Sequence, residues 1–206
     1  MLAAHLVPGY FAAAKSQSGR KPEWNRTRRV MLWAVALGST VAPDLDVVYN
    51  ALFRGFFNHS TLWTHSIFVY LGFGIAWLIL HISKRWTYTK TLTGLVAIGG
   101  LSHLVLDIIA HGTPILYPVS MMIFGIAPQR VIEGGVWAYL TDPIFLLEPL
   151  LFSIAIIHWA RHQDMTTPYL KKVIFAATVS GLLMFTIAFV LSLPTLQRAV
   201  LPLLPL

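Results

Sequence analysis

The sequence predicts an all-α protein: a polytopic integral membrane helical bundle of about five spans, with a short N-terminal helix and a re-entrant or interfacial segment. Three observations carry this. Of 206 residues, 56% are hydrophobic and only 11% charged, about half the charged share of a soluble domain. The mean hydropathy is +0.68, and the apolar residues fall in long runs rather than in the alternation of strands. The third is charge placement. Stretches 15–29, 83–90 and 161–172 hold twelve of the fifteen Lys and Arg, and they flank apolar runs as cytoplasmic loops do. The length suits a single domain over 1–206.

Taken in order, residues 1–14 suit a short helix holding His5, Pro8 and Gly9, too short to span a bilayer unaided. A basic loop, 15–29, follows. The apolar run 30–53 is interrupted at Ala42-Pro43-Asp44-Leu45-Asp46, where Pro43 removes a backbone donor and disfavours helix at Ala42. A polar connection, 54–64, carries Asn58 and His59. His65-Ser66 opens a span to Ile82, and 83–90 is a short basic loop. The next span, 91–110, holds His103 and Asp107, with His111 just beyond. Residues 112–141 read as a long loop with a re-entrant or interfacial helix. Asp142-Pro143 starts another span to about Ala160, with Asp as N-cap and Pro in the first turn. After 161–172 comes a last span, 173–193, and an apolar, Pro-rich tail.

With the three basic stretches on the cytoplasmic side, the spans alternate without conflict. The same threading sends His5, Asp44, Asp46, His59, His65, His103, Asp107, His111 and Asp142 toward the opposite face. Ionisable groups are costly in an apolar setting and mark sites there. Convergence at one depth therefore points to one pocket. His103, Asp107 and His111, at i, i+4 and i+8, stack along one helix face. Asp44 and Asp46 would point apart on a regular helix but turn to one cavity around a Pro-induced break. His81, His158 and His162 border basic stretches and read as interfacial anchors. Glu148 reads as structural.

The chain has no Cys, so a metal here must use imidazole, carboxylate or backbone oxygen. Such a donor set suits Zn²⁺ or Mn²⁺, as one or two ions. The basic residues lack interleaved aromatics, which argues against nucleic acid as a partner.

These pieces resemble a known family. Ala4-His5 with Gly9, Pro43-Asp44-Leu45-Asp46, Thr64-His65-Ser66, Ser102-His103 through Asp107, Gly112-Thr113 with Leu116-Tyr117-Pro118, and Asp142-Pro143 occur in the order found in the bacterial membrane-bound metal-dependent hydrolases of the LexA-regulated inner-membrane type. That family is distantly similar to zinc-dependent phospholipase C. The resemblance, which runs over about 1–150, implies Asp44, His65, His103 and Asp107 as metal ligands, with His5 and Asp46 next. It departs at the family's His-Arg-Gly, where this chain has His59-Ser60, and at His111, where the family often has an aromatic.

The expected function is therefore metal-dependent hydrolysis in the inner membrane. The substrate would be a phosphoester of a lipid or lipid-linked molecule, reached near the extracytoplasmic face. Asp46 or Asp142 would handle protons or orient a histidine; His111 and His59 are possible further ligands. The rival expectations are a metal-ion or proton-coupled transporter and a non-catalytic membrane regulator with a structural metal site.

Overall fold

A computed structural model describes residues 4–18, 24–55, 63–84, 86–126 and 147–162, with single helical positions at 172, 175, 178, 179, 182 and 183. Among these residues the regular structure is helical, apart from one isolated antiparallel bridge between Thr113 and Phe124. The chain divides into two compact units, essentially Ala4–Arg130 and Val131–Leu206.

In the first unit, α1 (Leu6–Gln17) carries Pro8 in its first turn, where a missing N–H costs nothing. Helix α2 (Arg26–Val41) starts earlier than expected, because the Asn25 side chain accepts the Arg28 N–H at 2.9 Å and caps it. Arg26, Arg28 and Arg29 are thus helical rather than part of a loop. At Pro43 the helix tightens into a 3₁₀ turn (Ala42–Asp44), closed by the Leu45 N–H on the Ala42 and Pro43 carbonyls. Helix α3 (Leu45–Phe53) resumes the path.

Ser66 caps α4 (Ile67–Ile82), its hydroxyl accepting the Phe68 N–H. His65 therefore lies in a preceding 3₁₀ turn (Trp63–His65) and not in the helix. Helix α5 (Thr87–Ala110) is the longest of the described helices, 24 residues or about 36 Å. It begins four residues before the expected span, so Thr87 to Lys90 are helical. Residues 112–126 form turns and the Thr113–Phe124 bridge, with no helix, so the interfacial helix expected in 112–141 is not in this part. The remainder of that stretch lies outside the described residues.

Among the described residues, two apolar stretches are long enough to cross a bilayer, Arg26–Phe53 and Thr87–Ala110; α4 is a shorter apolar helix. Helices α2 and α5 run side by side in the same direction, as pairing of Arg28 with Tyr88 near their starts and of Thr40 with His103 toward their ends requires. Helix α1 packs on both, and α4 packs on α5. Two glycines set how closely α5 approaches its neighbours. A Cβ on Gly99 would collide with the Ser39 hydroxyl, and one on Gly100 with the Tyr70 ring. Ser39 Oγ uses that proximity to donate to the Leu95 carbonyl at 3.2 Å. Large apolar side chains point outward along these helices, among them Leu52, Phe53, Ile75, Ile79 and Ile82, as a lipid-facing surface would have it.

The helix directions sort the charges. Lys15 ends α1, Arg26, Arg28 and Arg29 open α2, Lys84 follows α4 and Lys90 lies in the first turn of α5, all at one end of this unit. At the other end are the residue before α1, the break between α2 and α3, the turn before α4 and the last turns of α5.

The second unit is described chiefly by α6 (Leu147–His162), with Glu148 buried in its first turn. Asp142, His59 and most of the apolar run 173–193 lie outside the described residues.

Candidate metal centre

The end opposite the basic residues gathers the ionisable residues that the sequence scattered. Asp44, His65, His103 and Asp107 each turn one ligand-type atom to a common point, and these atoms all lie within 4.8 Å of one another. His103 Nε2 is 3.1 Å from Asp107 Oδ2 and 3.5 Å from Asp44 Oδ1. His65 Nε2 is 3.4 Å from Asp107 Oδ2 and 3.7 Å from Asp44 Oδ1. Ligands about 2 Å from a tetrahedral ion stand roughly 3.3 Å apart, so the spread of these contacts fits such a group.

The hydrogen bonds behind the rings fix which nitrogens face inward. His103 Nδ1 stands 2.7 Å from the Thr40 carbonyl. A carbonyl only accepts, so Nδ1 carries the proton, and in the neutral ring Nε2 presents a lone pair. Asp107 Oδ2 presents another. Both atoms are buried without a hydrogen-bond partner. Two lone pairs 3.1 Å apart in a dry pocket repel unless a cation lies between them. A proton or a metal ion meets that demand, and the donor set of two imidazoles and two carboxylates fits Zn²⁺ or Mn²⁺.

The α2–α3 break supplies this arrangement. Pro43 has no N–H for the Ser39 carbonyl, and the following 3₁₀ turn leaves the Thr40 carbonyl for His103. The same break brings both carboxylates to His65. Asp44 faces Nε2, while Asp46 Oδ2 lies 3.3 Å from Nδ1, behind the ring. Asp46 is therefore placed to orient His65, and it is 1% exposed.

Asp107 is the hub. Its Oδ2 faces His65 and His103, while Oδ1 lies 3.2 Å from His111 Nε2 and 3.3 Å from His5 Nε2. His111 Nδ1 donates to the Gly112 carbonyl at 2.8 Å, so its Nε2 is turned to the carboxylate as well. His5 stacks on His103 with ring centroids 4.0 Å apart. The sequence-predicted set thus converges except for His59 and Asp142, which lie outside the described residues. Of the quartet, Asp44 alone is open to the outside, its side chain 21% exposed.

Burial works against a charge on His65, but the carboxylates of Asp107, Asp44 and Asp46 outweigh it and push its pKa up to about 10.

Tyr70 was not singled out by sequence and proves to position His65. Its ring is buried against Gly100, and its hydroxyl donates to the Thr64 carbonyl at 2.6 Å. In the sequence it is one aromatic among many in an apolar run. Thr40 reaches His103 through its backbone carbonyl, which leaves no signal in residue type.

Among the described residues, a helical fold with apolar stretches of bilayer length and a buried His–Asp group that could hold a metal ion describe a membrane-type helical protein. The chain belongs to the YdjM inner membrane protein family, which matches residues 1–193, and with two apolar, bilayer-length helices among its described residues it is an inner-membrane protein. Comparison with curated proteins and with solved structures returns no match.

Proposed function

We propose that this protein is a metal-dependent hydrolase of the inner membrane, acting on a phosphoester of a lipid or lipid-linked substrate. The observation that carries the reading is the buried quartet Asp44, His65, His103 and Asp107, open on its Asp44 side. These four side chains would hold a divalent ion, and His5, His111 and Asp107 Oδ1 would be the donors for a second. A divalent ion supplies two things to phosphoester cleavage, a lowered pKa for a bound water and neutralisation of phosphoryl charge.

The protein's own groups do the rest. His103 is locked by Thr40, and His65 is locked by Asp46 behind it. Asp44, at the open edge, lies where substrate and water arrive. Asp107 holds four imidazoles in place at once. The five-span topology, with the basic end cytoplasmic and this centre near the extracytoplasmic face, belongs to the same proposal. It is supported by the placement of Lys15, Arg26, Arg28, Arg29, Lys84 and Lys90 at the far end, with Arg54 after α3 as the exception. A transport role would call for buried polar groups continuing to that end. Among the described residues the buried carboxylates and histidines of this unit gather at the site end instead.

The test is turnover by purified protein in lipid vesicles with Zn²⁺ or Mn²⁺, against a phospholipid panel and a generic phosphodiester. The expected result is metal-dependent product release that Asp44→Asn abolishes. Stoichiometric metal binding with no turnover on any substrate would overturn the hydrolase reading.

A further inference from the structure

The loop after α5 has a property the metal centre does not require. From Gly112 to Ile126 it carries no charged residue. Val119 is 79% exposed, and Met121, Met122, Ile123 and Ile126 also point outward. An exposed apolar group of this size on one loop marks a surface that meets something apolar.

Its backbone is suited to that setting. Thr113 and Phe124 exchange both N–H···O bonds, at 2.9 and 3.0 Å. The Ile126 N–H donates to the Ile108 carbonyl, and the Ser120 N–H to Leu116. Ile67 N–H donates to the Ile115 carbonyl, and the Ser66 hydroxyl to Tyr117 at 2.6 Å, which ties the loop to the start of α4. Irregular backbone is tolerated near hydrocarbon when its polar groups are met internally. The loop also shares an end of the unit with α3, whose Leu45, Val48, Leu52 and Phe53 are exposed. That face is part of Arg26–Phe53, one of two bilayer-length stretches among the described residues.

We infer that the 112–126 loop is a lipid-seated strap: its Val119–Ile123 tip lies in the acyl-chain boundary of the leaflet at the metal-centre end of the protein. The occupant is the bilayer itself, chosen over a second copy because the loop shares its end of the unit with the exposed apolar face of a bilayer-length stretch. The inference stands without the hydrolase reading, since it rests on the loop and α3 alone.

The native chain has no Cys, so single-Cys variants report one position each. Full-length Val119→Cys, Met122→Cys and Ser18→Cys are spin-labelled in phosphatidylethanolamine–phosphatidylglycerol vesicles. Collision with oxygen, which concentrates in lipid, is compared with collision by a water-soluble nickel chelate. Ser18, exposed at the basic end, is the aqueous reference. Oxygen access several-fold above nickel access at 119 and 122, reversed at 18, is the expected result. Nickel access dominating at 119 and 122 would overturn the strap. So would low access to both quenchers with spin–spin broadening, which would place a second copy there. Met121→Cys replaces either variant if it loses helical content by circular dichroism.

Discussion

His103 donates its Nδ1 proton to the backbone carbonyl of Thr40, 2.7 Å away on the neighbouring helix. The bond exists because Pro43 breaks α2 just beyond Thr40 and because α2 and α5 pack side by side. It fixes which His103 nitrogen turns its lone pair to the centre.

The break can be removed. Pro43→Ala supplies an N–H for Ser39 and lets the helix run on, so that residue 44 competes for the Thr40 carbonyl. Loss of a bond that orients a ligand histidine lowers metal affinity by about 10–100-fold. Competition titration with a chelator checks this, and unchanged helical content by circular dichroism separates it from unfolding.

Tyr70→Phe removes the hydroxyl that holds Thr64 while keeping the ring against Gly100. A lost hydrogen bond of this kind costs about 1 kcal/mol. The expected outcome is weaker metal binding with little change in thermal stability of the metal-loaded protein. Gly100→Ala, by contrast, drives a methyl into the Tyr70 ring and destabilises the packing of α4 on α5. A chelator titration and a melting curve on both variants distinguish the two effects.

The pH dependence follows from His65. Its pKa of about 10 in the metal-free protein lies above the ordinary 6.5 of histidine. Stability from its charged pairs is fully present below 6.5 and is lost as pH rises through 10. Metal binding requires the neutral ring and releases that proton. Affinity therefore rises with pH between 7 and 9, by about tenfold per unit for each proton released. Titrations at three pH values measure the slope, and Asp46→Asn, which removes a carboxylate that raises the His65 pKa, flattens it.

Much of this was legible in the sequence because ionisable residues are conspicuous in apolar runs. His103, Asp107 and His111 at a four-residue spacing give one helix face, and the structure keeps Asp107 within 3.2 Å of both histidines. The Pro43 break announced itself by residue type. Helix limits were less legible. Apolarity does not reveal that Ser66 starts α4 and leaves His65 in a turn, or that Asn25 draws three arginines into α2. The positioning groups were not legible at all. The Thr40 carbonyl belongs to every residue, and Tyr70 matters only through Gly100, thirty positions away, which lets its ring in.

The central claim is that Asp44, His65, His103 and Asp107 hold a divalent metal. The most direct measurement is elemental analysis of the purified, membrane-reconstituted protein beside His103→Ala and Asp107→Asn. The account predicts at least one equivalent of Zn²⁺ or Mn²⁺ in the native protein and its loss in both variants with helical content retained. Metal content in both variants equal to that of the native protein would contradict it.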